Sequence, residues 1–227
     1  MEKIKTLVPK AGSAYSHGWQ VMKENFISLF LVSLIVAFIG LPLGLMTNFS
    51  DFDGHGFESI ALGMIQIFTL AYAIFILSPA EYGVKLVYVK AARGENFEVK
   101  DMFDVLKNYL NVILAALLSG AIISFGFIFF LVPGIVFACR LAFVPYLVMD
   151  KKLDPVKAVE ESWRLTKGHG WRIFGMGIMA FFIIIAGLIV LVFGVFVSAM
   201  WISSSFAALY HAVLEEKGEN IVPNGSN

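Results

Sequence analysis

The sequence predicts an all-α membrane protein built as a bundle of six transmembrane helices. Of its 227 residues 59% are hydrophobic and only 15% are charged, which is far from the averages of water-soluble domains. Uncharged apolar runs recur along the chain, and each is long enough to cross a hydrocarbon core of about 30 Å, which takes roughly 20 helical residues. We therefore expect one integral membrane domain over residues 1–227, ending in a short tail at 215–227.

The first three spans follow directly from the apolar runs at 26–46, 60–80 and 110–132. The first run begins too late for a cleaved signal peptide, so we interpret it as a retained span. Pro133-Gly134 predicts a tight turn into a shorter fourth span, residues 133–149. The apolar stretch 171–214 would measure about 66 Å as one straight helix, twice what a bilayer accepts. It should therefore fold back, near Gly194, into spans five and six.

The basic residues predict the orientation in the membrane. Lysine and arginine are enriched in cytoplasmic connections, and every basic residue except Arg140 lies in the N-terminal segment, after span two, after span four or in the tail. The three opposite connections contain none, and the first of them carries only acids. We expect a multi-pass protein of the cell membrane with both termini in the cytoplasm.

A short amphipathic segment precedes spans one, three and five, which predicts a threefold repeat. The repeat units cover about 12–90, 97–150 and 154–214, and because all begin on the same side they would be parallel rather than inverted. In the third, Asp154 can cap a helix that Pro155 starts and Gly168 ends. The apolar faces recur at helical spacing and consist of Tyr15, Trp19, Met22 and Phe26; Val99, Phe103, Leu106 and Leu110; and Val156, Val159 and Trp163.

Within these segments an aromatic residue is followed four positions later by lysine. The pairs are Trp19 with Lys23, Phe103 with Lys107, and Trp163 with Lys167. An aromatic ring at headgroup level with a neighbouring cation is typical of membrane anchoring. Two interpretations remain open at this point, a purely structural anchor and three copies of a lipid-headgroup site.

The segment "VPGIVFACRLAFVPYLVMDKKLDPVKAVEESWRLTKGHGWRIFG", residues 132–175, carries a family resemblance. It resembles the membrane domain attached to some glycerophosphodiester phosphodiesterases and the YciC-like integral membrane proteins of prokaryotes. The resemblance implies a stand-alone membrane protein with no established catalytic residues; the phosphodiesterase chemistry of fused members belongs to a soluble domain that this sequence does not contain. The matching residues are Pro133-Gly134-Ile135, Arg140-Leu141, Pro145, Asp150, Pro155, Ala158, Ser162-Trp163, Leu165-Thr166 and Gly168.

Arg140 is the most informative single residue because its charge falls inside span four, roughly 10 Å from one end and 15 Å from the other. A charge at that depth must be paired or hydrated, so it should face the bundle interior. The structural interpretation pairs it with Glu81, with Asp150 or with an acid of the loop 51–58. The functional interpretation places an anionic ligand or a lipid phosphate against it, since guanidinium binds phosphate in a fork.

The other polar residues in and near the spans point to structure rather than chemistry. Glu81 and Lys85 are spaced for a helical ion pair near the cytoplasmic interface. Gln66 and Thr69 could hydrogen-bond across helices, and the pairs Gly40/Gly44 and Ala116/Gly120 would permit close helix contact.

No metal-ligand spacing and no catalytic or nucleotide-binding motif occurs, so we expect no metal, no cofactor and no enzyme activity.

Two functions remain. The leading one is a non-enzymatic membrane protein that binds lipid or partner proteins, including a second copy of itself, through its interfacial helices and an interior containing Arg140. The alternative is a transporter or channel for a small or amphiphilic solute, with Arg140 as the selectivity charge. A net charge of zero gives no reason to expect nucleic acid as a partner.

Overall fold

A computed structural model describes residues 10–47, 57–189 and 191–218, and all regular structure in these ranges is helical. Besides the α-helices there is a π-helical segment at Ala73–Leu77 and a 3₁₀ helix at Val99–Asn108. The α-helices are α1 Ala11–Glu24, α2 Phe26–Thr47, α3 Phe57–Tyr72, α4 Ser78–Ala92, α5 Tyr109–Phe129, α6 Leu131–Arg140, α7 Val144–Asp150, α8 Pro155–Thr166, α9 Gly170–Ile189 and α10 Leu191–Glu216.

Six helical stretches within the described residues are long and apolar enough to cross a membrane, which confirms the multi-pass prediction. A short helix precedes spans one and five, and the 3₁₀ helix Val99–Asn108 leads directly into α5 at span three. The six stretches are Phe26–Gly44, Leu62–Ala92, Val99–Phe129, Leu131–Asp150, Gly170–Ile189 and Phe193–Glu216.

Span two extends well beyond the predicted end at residue 80. The π-helical segment joins α3 to α4, so helix runs without interruption from Phe57 to Ala92. Pro79 does not end it, because Pro79 lies in the first turn of α4, directly after the π-helical segment. The α-helical bonding pattern is already interrupted there, and the missing N–H of proline costs little.

The turn predicted at Pro133-Gly134 is wrong, because both residues lie inside α6. The chain turns at Phe130, whose backbone is extended. Gly134 instead allows α5 and α6 to pack closely: a Cβ on Gly134 would meet the Phe127 ring at 2.5 Å. Gly194 likewise lies within α10, five residues after α9 ends at Ile189, and its carbonyl packs against Gly187. Residue 190, between the two helices, lies outside the described residues.

Span four is divided into two helices, a feature that the apolar pattern does not reveal. Helix α6 ends at Arg140, and α7 begins at Val144 after a turn. Helix α7 lies in the centre of the buried core, where the Tyr146 and Tyr210 rings stack with centroids 5.1 Å apart. Phe143 packs edge-on against Tyr210 at 5.5 Å. The break therefore directs three large aromatic side chains into one cluster.

The short helices pack one face on the core and leave apolar side chains exposed on another. In the 3₁₀ helix Met102 and Val105 are buried, whereas Phe103 and Leu106 are 51% and 64% exposed. Helix α8 starts at Pro155 and is followed by Gly168 at φ +89°, which confirms both predicted ends. The Asp154 side chain makes no capping hydrogen bond, so that detail of the prediction is wrong.

Close helix approach occurs at other glycines than those predicted. A Cβ on Gly44 or on Gly120 would meet nothing within 4 Å, and one on Gly40 would reach only Leu77, at 3.9 Å. At Gly18, by contrast, a Cβ would lie 2.6 Å from the backbone nitrogen of Ser205, because α1 crosses α10 there. Contact between α1 and α10 is the most extensive packing of two helices in the described residues.

Candidate functional site

The helix break after Arg140 is held by two hydroxyl groups of α8. The Ser162 hydroxyl donates to the backbone carbonyl of Arg140 at 2.7 Å and accepts from the backbone N–H of Phe143 at 3.3 Å. The Thr166 hydroxyl donates to the carbonyl of Ser162 in its own helix at 2.8 Å and also lies 3.3 Å from the Arg140 carbonyl. Both side chains are fully buried, so they satisfy backbone groups that the break would otherwise leave unbonded. Helix α8 thus fixes the position at which Arg140 leaves its helix.

The guanidinium of Arg140 stacks on an indole ring and has no acidic partner in the described structure. Its Cζ lies 5.6 Å from the centroid of the Trp163 ring, within cation-π range. One of its terminal nitrogens, Nη1, is buried without a hydrogen-bond partner. Arginine has no neutral form at physiological pH, so this nitrogen carries an unsatisfied donor.

The ion pairs predicted for Arg140 do not occur among the described residues. Asp150 pairs with Arg93, and Glu81 lines a different cavity. The third candidate, an acid of the loop 51–58, lies outside the residues whose side chains the structure describes. Arg93 reaches the Asp150 carboxylate from the end of α4 and occupies both of its oxygens.

A groove of about 490 Å³ begins at Arg140 and runs between α6 and α9. Its volume lies within the range of small-molecule sites. The walls are apolar except for the guanidinium and exposed backbone at two glycines, and the Trp171 side chain at its edge is 85% exposed. The residues that line it are Val132, Ile135, Val136, Cys139, Arg140, Gly168, Gly170, Trp171 and Phe174. A cation at one end of an apolar groove suits an anionic amphiphile.

The predicted aromatic–lysine pairs differ from one another. Lys23 lies 6.0 Å above the Trp19 ring, and Trp19 packs against Trp201 at 5.0 Å. Lys107 instead bonds Asp104 at 2.6 Å, while Phe103 stays exposed.

The pairing predicted between Trp163 and Lys167 is replaced by one with Arg140. Helix α8 ends at Thr166, so Lys167 adopts an extended conformation and no longer lies one helical turn above the ring. Sequence reasoning assigned Trp163 and Arg140 to separate roles, and the structure brings them together. The signal available in the sequence was Ser162 and Thr166, four residues apart on the face of α8 that holds the break.

Asp150 belongs to a buried ion pair that joins three helices. The Arg93 nitrogens contact both Asp150 oxygens at 2.6 Å, and the two side chains are only 5% and 7% exposed. The Tyr210 hydroxyl donates to Asp150 Oδ2 at 3.0 Å. Burial acts to lower the pKa of Arg93, but the hydrogen bonds and charge of Asp150 outweigh it and raise the pKa above its ordinary value. This arrangement connects the ends of α4 and α7 to α10, and only the third guanidinium nitrogen of Arg93, Nε, is buried without a hydrogen-bond partner.

His169 has an acidic partner that the sequence did not suggest. Its Nε2 lies 2.9 Å from Glu216 Oε2, and the ring is buried between the start of α9 and the end of α10. Arg172 lies 4.0 Å from the same carboxylate. No group of three or more histidine, cysteine, aspartate or glutamate side chains suited to a metal occurs in the described residues.

The remaining predicted polar residues behave in three ways. Thr69 donates to the carbonyl of Ile65 in its own helix at 2.7 Å, so the hydrogen bond expected across helices is not formed. Gln66 is exposed on the surface of span two. Glu81 and Lys85 form no ion pair within 4.0 Å, contrary to the prediction, and both line a second cavity.

No protein-family model, no curated protein and no solved structure matches this chain.

Proposed function

We propose that this protein is a non-enzymatic membrane protein that binds an anionic lipid, with the phosphate at Arg140 and an acyl chain along the groove between α6 and α9. The observation that carries the proposal is the position of Arg140 in the wall of that groove without an acidic partner among the described residues. An intramembrane charge without a partner is costly, and a lipid phosphate would supply both the opposite charge and two acceptor oxygens.

The shape of the groove supports a lipid rather than a small water-soluble anion. Val132 and Val136 are 70% and 46% exposed, so the groove opens toward the side of the bundle that would face hydrocarbon. Its exposed Trp171 is the kind of residue found at headgroup level. A phosphate at Arg140 with a chain among the valines would satisfy both parts of the site.

We further propose that α1, the 3₁₀ helix and α8 lie at the cytoplasmic interface of the cell membrane as three parallel repeats. An even number of spans returns the chain to its starting side, and the basic residues lie in the segments that contain these helices. The exposed Trp19, Phe103 and Trp163 would then reach the acyl region, with Lys23, Lys107 and Lys167 near lipid phosphates.

The test uses Cys139, which is the only cysteine in the sequence and lines the groove beside Arg140. Purified protein in detergent is alkylated with a maleimide at increasing concentrations of phosphatidylglycerol or phosphatidylcholine. We expect phosphatidylglycerol to slow the alkylation of Cys139 in the wild type, and Arg140→Gln to weaken this protection about tenfold or more, the size of one charge-assisted interaction.

Arg164→Gln is the matched control, because the Arg164 guanidinium lies on α8 but bonds Glu161 outside the groove. It should respond to phosphatidylglycerol as the wild type does. Equal protection of the wild type and Arg140→Gln would refute the lipid site. Equal protection by both lipids would show that the groove accepts a chain without recognising the phosphate.

A further inference from the structure

A second cavity, of about 460 Å³, lies between α2, α4 and α10. Helix α4 contributes Glu81, Lys85 and Tyr88 to its wall. The α2 residues that line it begin at Ser33, about 10 Å along the helix from Phe26, and end about 16 Å along it. The cavity therefore lies at the depth of span one, deeper than the interfacial position that the sequence predicted for Glu81.

The two charged side chains of the cavity lack conventional partners. Glu81 and Lys85 form no hydrogen bond and no ion pair within 4.0 Å with any described residue, although each influences the electrostatics of the other. The Lys85 ammonium lies 5.8 Å from the centroid of the Tyr146 ring, which balances its charge only in part. Glu81 and Lys85 therefore bring a carboxylate and an ammonium to the wall of one cavity without pairing with each other.

The neutral polar groups of the cavity are already engaged or small. Ser33 and Tyr88 share a hydrogen bond of 2.9 Å, and Ser203 contributes a third hydroxyl from α10. The remaining wall is apolar and includes Val36, Val195 and Phe196. Recognition in this cavity would therefore rest on Glu81 and Lys85, which are spaced one helical turn apart with Cβ atoms about 5–6 Å from each other.

We propose that this cavity binds a zwitterionic group, with the ammonium of the ligand at Glu81 and its anionic group at Lys85. A phosphoethanolamine unit has this chemistry, with an amine and a phosphate separated by two carbons. It can be presented by phosphatidylethanolamine or by a small water-soluble molecule. The proposal is independent of the Arg140 groove, because the two cavities share no lining residue.

The experiment measures the thermal midpoint of the purified full chain in detergent with three probes: phosphatidylethanolamine, phosphatidylglycerol and free O-phosphoethanolamine. We expect phosphatidylethanolamine to raise the midpoint of the wild type, and Glu81→Gln, which keeps the side-chain shape, to abolish at least half of that rise. Lys85→Gln should also abolish at least half of the rise in midpoint, and it tests the proposal if Glu81→Gln does not fold. Glu95→Gln, an exposed residue after α4, is the control that should keep the full response.

The results separate the two sources of the ligand and the two sites. A rise with O-phosphoethanolamine of the same size identifies a soluble zwitterion, and a rise with the lipid alone identifies a headgroup. Arg140→Gln should lose the response to phosphatidylglycerol and retain that to phosphatidylethanolamine, so failure at one site does not imply failure at the other. The proposal is overturned if neither zwitterion raises the midpoint of the wild type, or if both cavity variants respond as the wild type does.

Discussion

Breaking the ion pair between Arg93 and Asp150 should cost more stability than any other single charge substitution in the described core. Both contacts are 2.6 Å and both side chains are more than nine-tenths buried. Removing one partner of such a pair leaves the other charge buried and uncompensated, which costs about 3–5 kcal/mol. We expect Arg93→Gln and Asp150→Asn each to lower the free energy of unfolding by this amount.

The double variant isolates the interaction between Arg93 and Asp150 from the contacts that each side chain makes with other residues. With both charges removed no uncompensated charge remains, so Arg93→Gln/Asp150→Asn should lose less than the sum of the single variants, with a coupling of about 2 kcal/mol or more. Asparagine at position 150 keeps an oxygen that the Tyr210 hydroxyl can reach, which limits the loss to the ion pair itself.

The assay is reversible unfolding in mixed detergent and dodecyl sulfate, followed by tryptophan fluorescence. Asp104→Asn is the matched control, since its contact with Lys107 is equally short at 2.6 Å but the side chains are 40% and 76% exposed. It should change the free energy of unfolding by less than about 1 kcal/mol. If single and double variants at the buried pair proved additive, or if Asp104→Asn cost as much, burial would not explain the strength of the pair.

Two further predictions concern packing and topology. Gly18→Ala should lower the free energy of unfolding by about 1–3 kcal/mol, because the new methyl group would overlap the backbone of Ser205. The control Gly120→Ala should be neutral or slightly stabilising, because a methyl group there would meet nothing. Equal effects of the two substitutions in the same unfolding assay would argue against a tight α1–α10 crossing. In a Cys139→Ala background, a cysteine at Asp53 should react with an impermeant maleimide added outside intact cells; reaction only after permeabilisation would reverse the proposed orientation.

The spans were predictable because hydrophobic length alone determines them, but the turns were not. Gly134 and Gly194 look like turn residues in the sequence, yet each lies inside a helix. Gly134 permits α5 to approach α6, and Gly187 permits α9 to approach the backbone of α10 at Gly194. A glycine that serves packing and a glycine that serves a turn leave the same mark in the sequence. The two cases differ only in whether another residue packs against the glycine, and for Gly134 that residue is Phe127.

The candidate site was predictable in its parts and not in its assembly. Arg140 stood out by its charge within an apolar run, and Trp163 by its place on an amphipathic helix. Their contact depends on the break between α6 and α7, which Ser162 and Thr166 stabilise from a different helix. The apolar pattern does not mark that break, because the residues 141–143 are as apolar as their neighbours; the local signal is Pro145, which lies in the first turn of α7.

The contrast between Arg93 and Arg140 offers the most direct test of the proposed difference between a structural charge and a binding charge in this bundle. Asp150 is one of the partners predicted for Arg140, but Asp150 binds Arg93, and Arg140 has an aromatic ring and a groove instead. A charge that is satisfied within the protein should have the same effect on stability in any lipid. The effect on stability of a charge that awaits a ligand should change when the ligand is added. The loss of unfolding free energy caused by Arg93→Gln should therefore be independent of phosphatidylglycerol. The difference in unfolding free energy between the wild type and Arg140→Gln should instead grow as that lipid is added, because only the wild type gains binding energy from it.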